Sequence, residues 1–391
     1  GVDGVCSRDS FPYLTPVEKR VSRQIRLSGP DISDAEIEAV TAVLRTPDLS
    51  LGPKLDEFEH AFAARLKVKH AIATSSGTAA LHLLWRALGL GPGDEVITTP
   101  FSFIASSNSI LFEGGRVVFV DIDPETWQID AGRIEAAITP KTRTLLPVDV
   151  FGSLPDMDAI RSIARQHELR VLEDSCEALG ATYKGRPAGT LGEAGTFGFY
   201  PNKQITTGEG GMIVTNDDEM AFLARSMRNQ GRDPGAGWLQ HARLGFNYRI
   251  SDINCALGVV QLRRLDEILA KRAQVARWYA ERLADESRIA MMKVPDDVQI
   301  AWFVMVVRLS DDYSRQDRDN ILAKLGDAGI GCSNYFTPIH LQPFYQQQHG
   351  YKPGDFSITE TLSARTLALP FHNRLSEADV DMVVSELRKR L

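Results

Sequence analysis

Between residues 70 and 216 short apolar runs alternate with helical segments, and that alternation leaves few folds open. Ala71–Ala73, Glu95–Thr98, Arg116–Val120, Thr144–Val148, Arg170–Glu173 and Met212–Thr215 read as strands of three to five residues. Between them, Thr78–Leu88 places Leu81, Leu84, Trp85 and Leu88 on one helical face, and residues 103–113, 131–138 and 156–167 carry further helical patterns. Apolar strands separated by helices predict an α/β fold: three αβα layers around a mainly parallel sheet covered on both faces.

The flanking regions differ. Residues 11–30 are broken by Pro12, Pro16, Gly29 and Pro30, so residues 1–30 read as an N-terminal arm. Ser33 with Glu36 three residues later forms a capping box that opens a helix through Ile37, Val40, Val43 and Leu44. A second helix carries Leu55, Phe58, Phe62 and Leu66. After Asn216 the pattern predicts helices at 218–229 and, unbroken, at 252–285. Strands follow at Ala301–Leu309 and Ile330–Asn334, with helices at 315–328 and, capped by Ser376, at 376–390. The expected division is an arm (1–30), a large domain (31–285) and a smaller C-terminal α+β domain (286–391).

Charge and cysteine content narrow the function. With 44 basic against 51 acidic residues the formal charge is −7, which argues against a dedicated nucleic-acid or anionic-membrane partner. Cys6, Cys176, Cys255 and Cys332 are scattered and form no CxxC pair, so neither a zinc ribbon nor a secreted disulfide framework is expected. The longest apolar run, Ala301–Val307, is far shorter than the roughly 20 residues of a membrane span. A cytoplasmic protein without a metal site is the expectation.

Four positions after strands carry chemistry. Lys203 follows the aromatic run Phe197-Gly-Phe-Tyr200 and precedes Gly208, Gly210 and Gly211. Burial favours a neutral lysine amine, which can bond a carbonyl cofactor such as pyridoxal phosphate; a lone lysine is far more often a surface residue. Ser75-Ser-Gly-Thr78 stands where a strand gives way to a helix, which suits either a phosphate cradle of Ser76, Gly77 and Thr78 or a simple N-cap. Asp174 ends a strand, where it either pairs with a protonated ring nitrogen or caps the following turn. Phe103 is placed to stack on a flat cofactor or to fill the core. Neither a G-x-G-x-x-G fingerprint nor a P-loop is present.

Taken together, the chain resembles the fold-type-I pyridoxal-phosphate sugar aminotransferases of the DegT family from about residue 25 to the end. The matching pieces are Ser75–Leu81, Gly91–Ile97, Glu173-Asp174, Phe199–Lys203, Gly208–Gly211, Gly245–Arg249 and Thr337–Pro343. The resemblance implies that Lys203 forms a Schiff base with the cofactor and then moves protons, while Asp174 binds the ring nitrogen. It further implies that Phe103 stacks and that Ser76, Gly77 and Thr78 take the phosphate. Asn247 would reach the cofactor phosphate of a neighbouring subunit, so a homodimer with shared sites is expected; Arg249 and His340 would meet the substrate. Two departures stand out. Gly198 occupies a position where many members carry a phosphate-binding serine, and Glu177 stands where many have Gln or His, Glu being found there in perosamine-synthase-like members.

The implied reaction takes an amino group from L-glutamate to a nucleotide-linked keto-sugar, of which a 4-keto-6-deoxy sugar is the leading candidate. A sugar dehydratase of the same fold would carry His in place of Lys203. A non-catalytic pyridoxal-phosphate-binding regulator would need only the cofactor site. A cysteine desulfurase would need an activated thiol, for which Cys332 is the candidate, without a neighbouring base.

Overall fold

A computed structural model of the chain describes residues 24–391, so the expected arm falls largely outside the described residues. In chain order the strands are β1 (His70–Thr74), β2 (Glu95–Thr98), β3 (Arg116–Phe119), β4 (Thr142–Leu145), β5 (Arg170–Asp174), β6 (Thr182–Tyr183), β7 (Arg186–Pro187), β8 (Ala194–Gly198), β9 (Gly211–Thr215), β10 (Ile289–Met291), β11 (Val298–Gln299), β12 (Met305–Leu309) and β13 (Thr366–Leu369). A seven-stranded sheet runs in the order β1-β9-β8-β5-β4-β2-β3. Its strands from β3 across to β8 pair in parallel, and β9 is antiparallel to both β8 and β1. Every residue of β2 and of β9 is buried, as a sheet covered on both faces requires. The fold is α/β of the expected three-layer kind.

The helices are α1 (Asp34–Leu44), α2 (Pro53–Leu66), α3 (Gly77–Leu88), α4 (Ala105–Leu111), α5 (Met157–Gln166), α6 (Asp218–Arg228), α7 (Asp252–Arg263), α8 (Leu265–Leu283), α9 (Arg315–Asp327), α10 (Pro343–His349), α11 (Ser357–Ser363) and α12 (Glu377–Arg388). On one face of the sheet, Leu81, Leu84 and Trp85 of α3 pack with Ile72, Leu172 and Ile213. On the other, Phe58 and Phe62 of α2 meet Phe197 and Phe199, with ring centroids 5.3 to 5.8 Å apart across the two pairs of residues. Each such buried side chain contributes roughly 1.5–3 kcal/mol. β10, β12 and β13 form a separate three-stranded sheet against α8, α9 and α12. Among the described residues no helix is long and apolar enough to cross a membrane.

Four local expectations give way. Residues 131–138 form two 3-10 turns rather than a helix, because the Asp130 carboxylate takes the Gly132 N–H at 2.9 Å and glycine is a poor helix former. The helix expected over 252–285 is two, broken at Arg264, whose guanidinium is drawn to Glu36 Oε1 at 2.6 Å and to Asp31 Oδ1 at 3.1 Å. Ile330–Asn334 is not a strand: Gly331 N–H bonds Ile25 O while Ser333 exchanges bonds with Ala368, so its backbone changes partner before a ladder can form. The aromatic run ends its strand at Gly198, leaving Phe199 and Tyr200 beyond β8.

Candidate active site

Because β1, β2, β5 and β8 all run the same way, their C-terminal ends open on one edge of the sheet. The residues after them line a single cavity of about 740 Å³: Ser76, Gly77 and Thr78 after β1, Phe103 after β2, Asp174 and Glu177 at β5, and Lys203 after β8. This is the edge at which parallel α/β sheets bind ligands.

At the α3 end of the cavity, Ser76 caps the helix by accepting the Ala79 N–H at 3.0 Å, and Ala80 N–H bonds Ser76 O. That leaves the first helical N–H groups, those of Gly77 and Thr78, without a partner inside the helix, beside the Ser76 hydroxyl hydrogen. The approach is close: a Cβ on Gly77 would lie 2.9 Å from Cys176 Sγ, and one on Gly211 would lie 2.4 Å from Ser76 O. A Cβ on Gly198 would make ordinary contact with Cys176 Cβ and Sγ at 3.6 Å, so the position that departs from the family pattern has room for a side chain to begin without displacing its neighbours.

Strand alternation sends neighbouring carboxylates opposite ways. Glu173 is spent on the fold, accepting the N–H groups of Gly189, Leu191 and Gly192 at 2.9, 2.6 and 2.6 Å. Asp174, only 5% exposed, faces the cavity; its Oδ2 accepts the Ser106 hydroxyl at 2.6 Å and its Oδ1 accepts the Cys176 N–H at 3.2 Å. Ser102 extends the chain to Ser106 at 3.0 Å. Behind Asp174 lies Asp149, fully buried, with Oδ2 accepting from Ser175 Oγ at 2.6 Å and Oδ1 without a partner among the described residues; burial, with Glu173 nearby, holds this acid well above the usual carboxylate range.

Lys203 lines the same cavity with its side chain 15% exposed. Its Nζ lies 3.6 Å from Glu177 Oε1 and 4.0 Å from the centroid of the buried Phe303 ring. Glu177 Oε2 accepts the Phe151 N–H at 2.9 Å; burial raises its pKa and the nearby Lys203 offsets part of that rise. Phe103 is 61% exposed at the cavity rim, free to lie over a flat guest rather than fill the core. An anion cradle, a buried acid fixed by a hydroxyl, an amine and a free aromatic face suit the phosphate, ring nitrogen, aldehyde and ring of pyridoxal phosphate.

The other expected residues lie elsewhere. His340 is fully buried and turned away: Nε2 bonds Glu360 Oε1 at 2.9 Å and its ring packs on Phe356, because the carboxylate of α11 offers it a partner that the cavity does not. Its loop reaches the cavity through Thr337, Ile339 and Gln342 instead. Asn247 is exposed and Arg249 bonds Asn229 Oδ1 at 3.1 Å; neither is on this cavity's wall. Cys332 is also off the wall, its thiol pushed up to about 11 by burial, whereas Cys176 lines the cavity with its thiol raised far out of its reactive range. Sequence reasoning missed Ser106, Tyr335 and Phe303. The serine-rich run Ser102–Ser109 after β2 was a usable signal for the first; nothing in the local pattern marks the other two.

Comparison with known proteins bears on the family and the fold. The profile of the DegT/DnrJ/EryC1/StrS aminotransferase family matches residues 30–388. The chain is 42% identical over 366 residues to GDP-perosamine synthase of Caulobacter vibrioides, covering 93% of this chain and 97% of that protein. Among solved structures it is similar to PseC of Helicobacter pylori, an aminotransferase involved in the biosynthesis of pseudoaminic acid (28% identity, TM-score 0.90, 94% and 99% of the two chains). It is also similar to the putative sugar aminotransferase Spr1654 of Streptococcus pneumoniae in its PLP form (28% identity, TM-score 0.89, 94% and 100%).

Proposed function

The chain belongs to the DegT/DnrJ/EryC1/StrS aminotransferase family, and from that premise we propose that it moves the amino group of L-glutamate onto a nucleotide-linked keto-sugar, a 4-keto-6-deoxy sugar being the leading candidate. It is a pyridoxal-phosphate-dependent aminotransferase of fold type I. The observation that carries the reading is that Lys203, Asp174 and the α3 cradle line one cavity. The likeness to GDP-perosamine synthase supports a nucleotide-linked acceptor and an amino-sugar product.

When bound, the cofactor supplies an aldehyde that takes up amines and a ring that withdraws electrons from the neighbouring carbon. Asp174, held by Ser106, would accept the ring N–H and keep that nitrogen protonated. Gly77, Thr78 and Ser76 would hold the phosphate, and Phe103 would cover one ring face. Lys203 would hold the aldehyde carbon at rest. Once an amino donor displaced it, its free amine would take the proton from the donor's Cα and return it to the carbon that had borne the cofactor's aldehyde.

A second copy of the chain completes the site in this reading. Asn247 and Arg249 follow a loop whose Trp238, Leu239 and Leu244 are 78, 76 and 67% exposed, an apolar surface that a partner subunit would cover. The division into a large domain (31–285) and a small one (286–391) is supported by the seven-stranded sheet and the β10-β12-β13 sheet falling on either side of it, although β11 of the third sheet pairs across that boundary with β6. Cys176, Cys255 and Cys332 are free thiols, which suits the cytoplasm.

The test is the visible spectrum of the protein with pyridoxal phosphate, before and after L-glutamate. A band that forms, bleaches with glutamate, returns on adding the right keto-sugar nucleotide, and is missing in Lys203→Ala supports the reading. A band indifferent to glutamate overturns the donor and revives the dehydratase and regulator alternatives. No band means that these residues do not form a cofactor site.

A further inference from the structure

α8 passes behind the cavity and carries Arg272, which is only 2% exposed. A buried guanidinium is costly unless its donors are used, and burial here lowers its pKa to about 10. Its hydrogen bonds run to backbone carbonyls in two segments. Nη2 donates to Lys203 O at 2.8 Å and Asn202 O at 3.5 Å, and Nη1 to Phe303 O at 3.1 Å and Trp302 O at 3.5 Å. Gln204 ties the same two segments, donating to Ala301 O at 2.9 Å. The side chains of the clamped residues meet in the cavity, where the Phe303 ring lies 4.0 Å from Lys203 Nζ.

We infer that Arg272 is a positioning residue for Lys203: it locks the lysine's turn to the 301–303 segment, so that the amine rests over the Phe303 ring in reach of the cofactor's aldehyde. This rests on Lys203 being the cofactor-bearing lysine. Neither side chain is on an element next to the other in sequence, and the planar fork of arginine is what lets one residue serve both carbonyl pairs. Lysine keeps the charge but donates from a single centre and cannot span them.

The experiment compares two forms of the cofactor. Pyridoxal phosphate bonds Lys203; pyridoxamine phosphate has the same ring and phosphate but no aldehyde and gains nothing from the lysine. Arg272→Lys is expected to weaken pyridoxal phosphate by about ten-fold, and to slow borohydride-trappable attachment to Lys203, while pyridoxamine phosphate affinity stays within about two-fold. Phe303→Leu, which disturbs no buried charge, should give the same one-sided loss at a smaller size and decides the matter if Arg272→Lys does not fold. Equal losses for both cofactor forms would make Arg272 a residue of the fold alone, and unchanged affinities would likewise overturn the inference. Wild-type protein that binds both forms without attachment to Lys203 would instead overturn the assignment of the lysine itself.

Discussion

Lys203 Nζ stands 3.6 Å from Glu177 Oε1 in a wall where both side chains are largely buried. Burial raises the Glu177 pKa, so as pH falls its carboxylate is lost earlier than that of a free glutamate, and the lysine loses its negative neighbour at that point. Turnover should therefore show an acid limb above the ordinary glutamate range. Glu177→Gln keeps an acceptor for Phe151 N–H but has no charge to titrate. It should lower kcat on the order of ten-fold at pH 8 and erase that limb. A variant with the wild-type pH profile would remove Glu177 from the proton chemistry.

Asp174 depends on Ser106, whose hydroxyl it accepts at 2.6 Å. Hydrogen bonds to charged groups contribute about 1.5–3 kcal/mol, so Ser106→Ala should weaken pyridoxal phosphate binding by about ten-fold or more. Asp174→Asn should keep some cofactor yet lose most activity, since the ring nitrogen loses its charged partner. Equilibrium dialysis and steady-state kinetics separate the two effects; an Asp174→Asn enzyme of normal rate would sink the pairing.

Asp149 provides a stability prediction with a definite sign. Its folded-state pKa is raised by burial, so the folded protein holds this proton where the unfolded chain has released it. The Asp149 contribution to stability should then decline as pH rises from about 4 toward the raised pKa, by about 1.4 kcal/mol for each pH step of one over that window. Asp149→Asn has nothing to ionise, and its advantage in urea melts should be absent near pH 4 and grow as the pH rises above it. A difference independent of pH would mean that Asp149 is ionised in the fold.

Asn247 lies exposed and away from its own chain's cavity. If a second subunit's site takes it, Asn247→Ala and Lys203→Ala should each be inactive alone, and mixing them should restore up to about a quarter of wild-type activity through hybrid dimers. No recovery on mixing, with subunit exchange verified, would rule out a shared site.

Much of this protein was written locally. Ser33, Ser76 and Ser376 cap the helices expected of them, and the strands over 70–74, 95–98, 116–119, 170–174 and 211–215 fall within a residue or two of their apolar runs. A parallel sheet puts all strand C-termini on one edge, so the order of Gly77, Phe103, Asp174 and Lys203 along the chain already implied one site. What periodicity could not report is which distant group a polar side chain prefers. Arg264 breaks a helix for a carboxylate 228 residues away, Arg272 holds a carbonyl 69 residues away, and His340 leaves the cavity for Glu360. Propensity and patterning act over a few residues, whereas a buried polar group must find its hydrogen-bond partner wherever packing brings one, and only the tertiary structure makes that choice.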